Sequence, residues 1–452
     1  MIKNMFDQMQ MAVAGLQPVH RVGRVAGVSG GTVKVGGVID SAKVGDRATV
    51  TMGTQKMAGE VVKLDWKSVH LLMAGAPDGI SIGDRVLFAD PPVFAPDRSW
   101  IGRVIDPDGH PLDGRPLLPG LAPRKCRTSP LPAHARRPLG ARLETGLAVF
   151  NTLLPIVQGQ RVGLFAGSGV GKSTLLADLA KGVTADVIVI ALVGERGREV
   201  RHFIEDVLGP EGMKRAIIVA ATSDKSPQMR RQCAWAATAI AEHFRDEGDQ
   251  VLLLIDSITR FCEAHREVAV AGGEAANLRG YPASTGPAIA SLCERAGPGV
   301  AETGDITAVF SVLVAGSDMD EPVADMLRGV LDGHVVLDRD IAERGQFPAI
   351  NVLRSVSRAL PAAASDQEND MIARARAHLG NYDKAALMIQ SGLYTSGSDK
   401  EIDAAINCIS GLNALLTIQD TRGTLSHFAK LRQALTSSHN RMVSDDLPKP
   451  GS

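Results

Sequence analysis

Ala166-Gly167-Ser168-Gly169-Val170-Gly171-Lys172-Ser173 is the stretch of this 452-residue chain that decides its fold. It follows an apolar run at 162–165, short enough for a buried strand, and precedes helix formers at 174–181 that stop at Gly182, a candidate C-cap glycine. Glycines let backbone N–H groups turn onto phosphate oxygens, and the helix N-terminus adds its positive end. The stretch predicts a phosphate-binding loop between a strand and a helix.

The residue types in this loop suit nucleotide binding. The Lys172 ammonium would reach the β and γ phosphates, and the Ser173 hydroxyl would ligate Mg²⁺. An accidental glycine turn is the alternative, which the flanking strand and helix disfavour. We therefore expect ATP and Mg²⁺ as cofactors, with these nucleotide-binding residues: Gly167, Ser168, Gly169, Val170, Gly171, Lys172, Ser173 and Thr174.

The composition limits the classes of protein to which the chain can belong. A hydrophobic fraction of 44% and a charged fraction of 22% are ordinary for a soluble globular protein, and a formal net charge of −1 argues against a nucleic-acid partner. Five scattered cysteines disfavour a disulfide framework or a zinc site. Without a membrane-length apolar run or a signal peptide, we expect a cytoplasmic protein, peripheral to the membrane at most.

The hydrophobic pattern predicts an α/β fold with three parts. Residues 1–16 carry an apolar stripe at helical spacing, which would pack on its own domain, or dock to a regulatory partner or a membrane-proximal surface. Short β-rich runs over 22–88 predict a small barrel, and later strands alternating with helices predict a mainly parallel sheet. Beyond residue 363 the pattern predicts three helices, over 367–379, 400–418 and 425–435, the second opening on a capping box at Ser398.

Three residues outside the loop would carry hydrolysis of the nucleotide. Asp256 ends an apolar strand, where a carboxylate could orient the Mg²⁺ shell; an N-cap role is the alternative. Glu195 follows a strand that we expect to lie next to the phosphate loop, and it could polarise a water unless it pairs with Arg196 or Arg198. Arg358 could neutralise transition-state charge across a subunit boundary, although a surface arginine would look the same.

Together these residues resemble the type III protein-export ATPases of flagella and injectisomes, a family related to the catalytic subunit of rotary ATP synthase. Ordered matches cover nearly the whole chain. Beyond the phosphate loop, the motifs that carry the resemblance include Asp106-Pro-Asp-Gly109, Gly194-Glu-Arg-Gly-Arg-Glu199, Ile255-Asp-Ser-Ile-Thr-Arg-Phe261, Arg279-Gly-Tyr-Pro282, Asp332-Gly-His334, Ala342-Glu-Arg-Gly345 and Ser355-Val-Ser-Arg358.

The resemblance implies a homo-hexamer with nucleotide sites between subunits. It divides the chain into an N-terminal helix (1–20), a β-barrel (21–92), a RecA-like P-loop domain with its leading linker (93–362), a helical domain (363–440) and a flexible tail (441–452). It also implies a stator-like regulatory protein at the N-terminal helix. Export-gate and chaperone–substrate complexes would meet the helical domain.

The resemblance also implies roles for single residues. Lys172 and Glu195 become catalytic, and Arg196 contacts phosphate. Ser173 and Asp256 become the metal residues, and Arg358 becomes the arginine supplied in trans. Phe347 matches an aromatic residue that packs on adenine in the rotary relatives; a core phenylalanine is the alternative. The residues implied for catalysis are Lys172, Glu195, Arg196 and Arg358.

We favour export of unfolded flagellar proteins, because residues 392–399 and the residues after Lys172 look closer to the flagellar branch than to the injectisome branch. Three further classes compete with these two branches: a rotary ATP synthase catalytic subunit, a catalytically silent ring subunit and a hexameric RNA or DNA translocase. Glu195 argues against a silent subunit. The near-neutral charge, without an aromatic and basic signature, argues against a translocase.

Overall fold

The computed structural model of the protein describes Val13 and residues 19–277, 279–314 and 319–436. The predicted N-terminal helix lies outside the described residues except for Val13, Val19 and His20. The predicted tail over 441–452 lies outside them entirely.

The first part of the described chain is a closed six-stranded barrel, as the sequence predicted. Its side chains alternate between the barrel interior and solvent, and Val33, Val50 and Leu71 are fully buried inside. The strands pair in the order β1-β2-β5-β4-β3-β6. They are β1 Arg21–Ser29, β2 Thr32–Gly36, β3 Arg47–Met52, β4 Gln55–Asp65, β5 Ser68–Met73 and β6 Arg85–Ala89.

An eight-stranded sheet forms the centre of the molecule, in the order β16-β15-β10-β14-β13-β11-β12-β8. All neighbours described run parallel except β15 and β16. β7 and β9 pair separately. The strands are β7 Val93–Phe94, β8 Val104–Ile105, β9 Arg124–Lys125, β10 Arg161–Ala166, β11 Val187–Val193, β12 Ala216–Ala221, β13 Val251–Asp256, β14 Ile306–Leu313, β15 Gly333–Val336 and β16 Val356–Ser357.

The strand order corrects one expectation. β11, which precedes Glu195, does not lie next to β10, the strand of the phosphate loop, because β14 and β13 lie between them. Each of these central strands is almost wholly apolar and buried on both faces, so the hydrophobic pattern identifies strands without specifying their neighbours.

Helices cover both faces of the sheet. Along β11, Ile188 and Ile190 join the apolar cluster with the phosphate-loop helix and the C-terminal helices, whereas Val187 and Val189 join the cluster with the long helix α5 of the opposite face. The helices are α1 Ala148–Asn151, α2 Lys172–Gly182, α3 Gly197–His202, α4 Gly209–Met213, α5 Pro227–Asp246, α6 Ile258–Ala271, α7 Thr285–Cys293, α8 Pro322–Val330, α9 Arg339–Glu343, α10 Asp366–Gln390, α11 Lys400–Leu416 and α12 Gly423–Thr436. The predicted fold class, with its barrel, parallel core and C-terminal helices, is confirmed.

The C-terminal helices differ in detail from the prediction. α10 continues to Gln390, well beyond the expected end at residue 379. The N-cap of α11 is Asp399, whose carboxylate accepts hydrogen bonds from the N–H groups of Glu401 and Ile402, and not Ser398. Ser398 instead donates to the carbonyl of Thr395. In the described parts of the chain, no helix has the length and apolarity of a membrane span.

Gly182 is required by packing and is not the C-cap of α2. The C-cap is Val183, and Gly182 is the last helical residue. A Cβ built on Gly182 would lie 2.0 Å from the backbone carbonyl oxygen of Thr145, in the segment that precedes α1. The glycine therefore permits close approach between the phosphate-loop helix and this segment.

Gly182→Ala is expected to lower the free energy of unfolding by about 1–3 kcal/mol, since a fixed backbone atom must move to admit the methyl group. Gly329→Ala is the matched control, because Gly329 is also near the end of a helix and a Cβ built on it would meet nothing within 4 Å. That substitution is expected to raise stability by roughly 0.5 kcal/mol. Chemical denaturation of both variants measures the difference, and equal stabilities would contradict the role of Gly182.

Candidate active site

The phosphate loop connects β10 to α2 in the way that the sequence predicted. Gly169 and Gly171 have φ angles of 77° and 87°, in the left-handed region that favours glycine. Gly171 is the N-cap of α2, so the positive end of the helix faces the loop. Val170 differs from its neighbours because its side chain is buried in the core, where it anchors the loop.

A cleft of about 1150 Å³ lies over the loop. The predicted residues that line it are Gly167, Ser168, Gly169, Gly171, Lys172, Ser173, Thr174, Glu195 and Arg196. Further lining side chains, which sequence reasoning did not single out, are Arg230, Thr259, Arg260, Glu263, Arg279, Tyr281 and Glu321. Four of them lie in the Ile255–Phe261 and Arg279–Pro282 motifs. Because these motifs follow β13 and α6, they could have identified these residues as part of the site.

Asp256 is buried and forms an ion pair with Lys172, which lines the cleft. Asp256 is the last residue of β13 and only 3% exposed, and its Oδ1 also accepts a hydrogen bond from the Ser311 hydroxyl at 2.6 Å. The N-cap of α6 is Ser257, whose hydroxyl accepts from the N–H of Arg260. The alternative N-cap role for Asp256 is therefore wrong.

Glu195 shares the same lysine. Its Oε1 lies 3.7 Å from Lys172 Nζ, although its strand is three positions from the loop, because the long lysine side chain spans the gap. Burial, with repulsion from Asp256, raises the pKa of Glu195 to about 7, against the attraction of Lys172. Arg196 is exposed and pairs with Glu199 at 3.2 Å, so it is not the partner of Glu195. A carboxylate with a pKa near neutrality suits a general base.

The oxygen donors in this cleft fit Mg²⁺. The Ser173 hydroxyl lines it, and the carboxylates of Asp256 and Glu195 both reach Lys172. The described residues contain no group of three or more His, Cys, Asp or Glu side chains that could hold a metal ion by themselves. A hard cation held by one or two protein oxygens, with substrate phosphates and waters completing its shell, suits such a site.

Phe347 lies beside the phosphate loop. A Cβ built on Gly171 would be 3.3 Å from two carbons of the Phe347 ring, and the residue is 48% exposed. Phe347 is therefore not a core phenylalanine. An exposed ring next to a phosphate loop is placed to offer one face to a planar base.

Arg358 lies away from the cleft of its own chain. It follows β16 at the edge of the sheet and is exposed. Its guanidinium donates to the carbonyl oxygens of Leu331 and Arg328, both at 3.1 Å, near the C-terminal end of α8. Arg358 is not one of the described residues that line the cleft.

A glycine loop that opens a helix, with a lysine that pairs with a buried carboxylate at the carboxyl ends of parallel strands, defines a P-loop ATPase. Comparisons with known proteins identify the family to which this ATPase belongs. The model of the ATP synthase alpha/beta family, nucleotide-binding domain, matches residues 146–357. The model of the T3SS EscN ATPase C-terminal domain matches residues 364–437. The chain belongs to the type III export ATPases within the ATP synthase alpha/beta family, which confirms the resemblance seen in the sequence.

Individual relatives agree over nearly the whole chain. The flagellum-specific ATP synthase of Caulobacter vibrioides is 42% identical over 95% of this chain and 99% of its own. The type 3 secretion system ATPase of Xanthomonas euvesicatoria is 39% identical over 97% of both. The assembled ATPase EscN from the type III secretion system of enteropathogenic E. coli matches with a TM-score of 0.84 at 33% identity, covering 92% of this chain and 100% of that chain.

The raised pKa of Glu195 predicts the pH dependence of hydrolysis. We expect kcat/KM to increase with pH through about 7 and to level off above it, because only the ionised carboxylate can accept a proton from water. Steady-state rates at ATP concentrations well below KM, with Mg²⁺ in fixed excess over ATP, measure the profile. In Glu195→Gln the same inflection must disappear from the residual rate; an unchanged inflection would assign it to another group.

Proposed function

We propose that this chain is a flagellar export ATPase, which hydrolyses ATP with Mg²⁺ in a homo-hexameric ring at the cytoplasmic face of the membrane and so energises export of unfolded flagellar proteins. The observation that carries the proposal is the convergence of Asp256 and Glu195 on Lys172, beside the phosphate loop. Flagellum-specific ATP synthases among the relatives support the flagellar assignment.

In the proposed mechanism the loop N–H groups and Lys172 bind the phosphates, and Arg196 gives a further phosphate contact. Ser173 and Asp256 would hold Mg²⁺, which when bound would supply positive charge beside the phosphates. Glu195 accepts a proton from the attacking water, while Phe347 packs on adenine. Arg358 reaches the site from the neighbouring subunit and stabilises the charge that develops in the transition state.

The partners are part of the same proposal. The assembled EscN in complex with its central stalk EscO, from the enteropathogenic E. coli type III secretion system, matches this chain with a TM-score of 0.82 at 33% identity. We infer a comparable ring and stalk contact for this chain. We propose that a stator-like regulator binds residues 1–20. The export-gate and chaperone–substrate complexes bind the helical domain (363–440). The barrel (21–92) and the ATPase domain (93–362) lie between these two parts of the chain.

Deletion of the gene from its host tests the function. We expect loss of swimming and of secreted flagellar subunits, restored by the wild-type chain and not by Lys172→Ala, which removes the phosphate-binding ammonium. The injectisome alternative, supported by the Xanthomonas relative, predicts normal swimming with loss of secreted effectors. Purified wild-type protein that released no phosphate from ATP with Mg²⁺, at concentrations that favour rings, would contradict both.

A further inference from the structure

Ser311 is a polar residue in a strand that is otherwise built for burial. β14 reads Ile-Thr-Ala-Val-Phe-Ser-Val-Leu, and its residues are buried except for partial exposure of Leu313. Ser311 is fully buried, and the strand lies between β10, which leads into the phosphate loop, and β13, which ends at Asp256. A buried hydroxyl without a partner would cost about 1–3 kcal/mol. Its partner therefore explains why a serine is tolerated there.

That partner is Asp256. The Ser311 hydroxyl donates to Asp256 Oδ1 at 2.6 Å, a short charge-assisted distance. In the register of the sheet, Phe310 pairs with Ile255, so Ser311 and Asp256 are the next residues along both strands. The hydroxyl is thus fixed to the carboxylate by the backbone pairing of two central strands, and no mobile loop intervenes.

Lys172 binds the same oxygen, Asp256 Oδ1. Both hydrogen bonds that the described side chains give to Asp256 therefore end on Oδ1, and neither occupies Oδ2. Lys172 is also the residue that meets the phosphates, so its bond to the carboxylate competes with nucleotide. The Ser311 hydroxyl does not contact nucleotide, so it can keep its hydrogen bond to the carboxylate whether or not nucleotide is bound.

We propose that Ser311 is a positioning residue for the Mg²⁺ site: its hydroxyl, held in the strand between the phosphate-loop strand and that of Asp256, fixes the orientation of the Asp256 carboxylate and leaves Oδ2 available to a metal. The inference rests on the proposed function in one respect, the role of Asp256 toward Mg²⁺. Residues that orient metal-binding carboxylates commonly contribute about 10–100-fold to metal affinity.

Ser311→Ala tests the proposal through metal binding without turnover. The affinity for Mn²⁺, measured by electron paramagnetic resonance on protein saturated with a non-hydrolysable ATP analogue, is expected to fall about 10–100-fold. Binding of the same analogue in EDTA is expected to stay at the wild-type value, because the phosphate loop is unchanged. Ser311→Thr, which keeps the hydroxyl, is expected to recover most of the Mn²⁺ affinity.

Thr307→Val is the matched control. Thr307 carries the other hydroxyl of β14, which accepts a hydrogen bond from the N–H of Gly159 at 3.0 Å at the opposite end of the strand. Wild-type Mn²⁺ affinity in Thr307→Val with reduced affinity in Ser311→Ala supports the proposal. Equal losses in the two variants, or wild-type affinity in Ser311→Ala, overturn it. If Ser311→Ala does not fold, Ser311→Cys, with a weaker donor of similar shape, is held to the same two outcomes.

The metal titration also separates this inference from the proposed function. Reduced Mn²⁺ affinity in Ser311→Ala, in a protein whose wild-type form hydrolyses no ATP, would retain the positioning role and remove the enzymatic one. Normal hydrolysis in the wild type, with an unchanged Mn²⁺ affinity in Ser311→Ala, would keep the enzymatic role of the protein and remove the positioning role of Ser311.

Discussion

Glu195→Gln is expected to lower kcat for ATP hydrolysis about 100-fold or more while leaving ATP binding intact. The amide keeps the size of the side chain, but it cannot accept the proton of the attacking water. The lysine that binds phosphate keeps its buried partner, Asp256, so the phosphate loop stays in place. Phosphate release at saturating ATP gives kcat, and equilibrium binding of a fluorescent ATP analogue gives the affinity.

Glu205→Gln is the control for this substitution. Glu205 is an exposed carboxylate ten residues further along the chain, and it pairs with Arg201 at 2.9 Å. Its replacement is expected to leave kcat within about twofold of wild type, as for an exposed ion pair. Near-normal hydrolysis in Glu195→Gln would give that carboxylate a structural role, and weaker ATP binding would make it a phosphate-site residue instead.

The chemistry of the phosphate loop could be predicted because it is local in sequence. The glycines, Lys172 and Ser173 lie within seven residues, and the left-handed φ angles of Gly169 and Gly171 follow from the residue type. The barrel was likewise predictable, since each strand alternates between interior and solvent. Local spacing was sufficient in both cases.

The arrangement of the site depends on strand order, which the sequence pattern does not contain. β10, β14, β13 and β11 have similar apolar sequences, so their neighbours could not be assigned from hydrophobicity. The hydrogen bond from Ser311 to Asp256 joins residues 55 positions apart, and it follows only from the insertion of β14 beside β13. Gly182 was misassigned for a similar reason, because Thr145 approaches it through tertiary packing.

Arg358→Ala is expected to lower kcat about 1,000-fold or more, the usual scale for an arginine finger, with little change in ATP affinity. The decisive measurement is a mixture of two weakly active variants, Arg358→Ala and Glu195→Gln, assembled together at equal concentrations. If each site takes Glu195 from one subunit and Arg358 from its neighbour, random mixing leaves roughly one interface in four with both residues intact. Phosphate release by the mixture is then expected to rise far above that of either variant.

The control mixture combines Glu195→Gln with Lys172→Ala. Both substitutions lie in the same cleft of one chain, so no interface between the two variants can be complete, and no recovery is expected. Arg358 lies beyond the sheet edge, hydrogen-bonded to the carbonyls of Arg328 and Leu331 and outside the described lining of its own cleft. Recovery of phosphate release in the first mixture alone would therefore show that Arg358 acts at the site of a neighbouring subunit. No recovery in either mixture would mean that Arg358 makes only a structural contact at the end of α8.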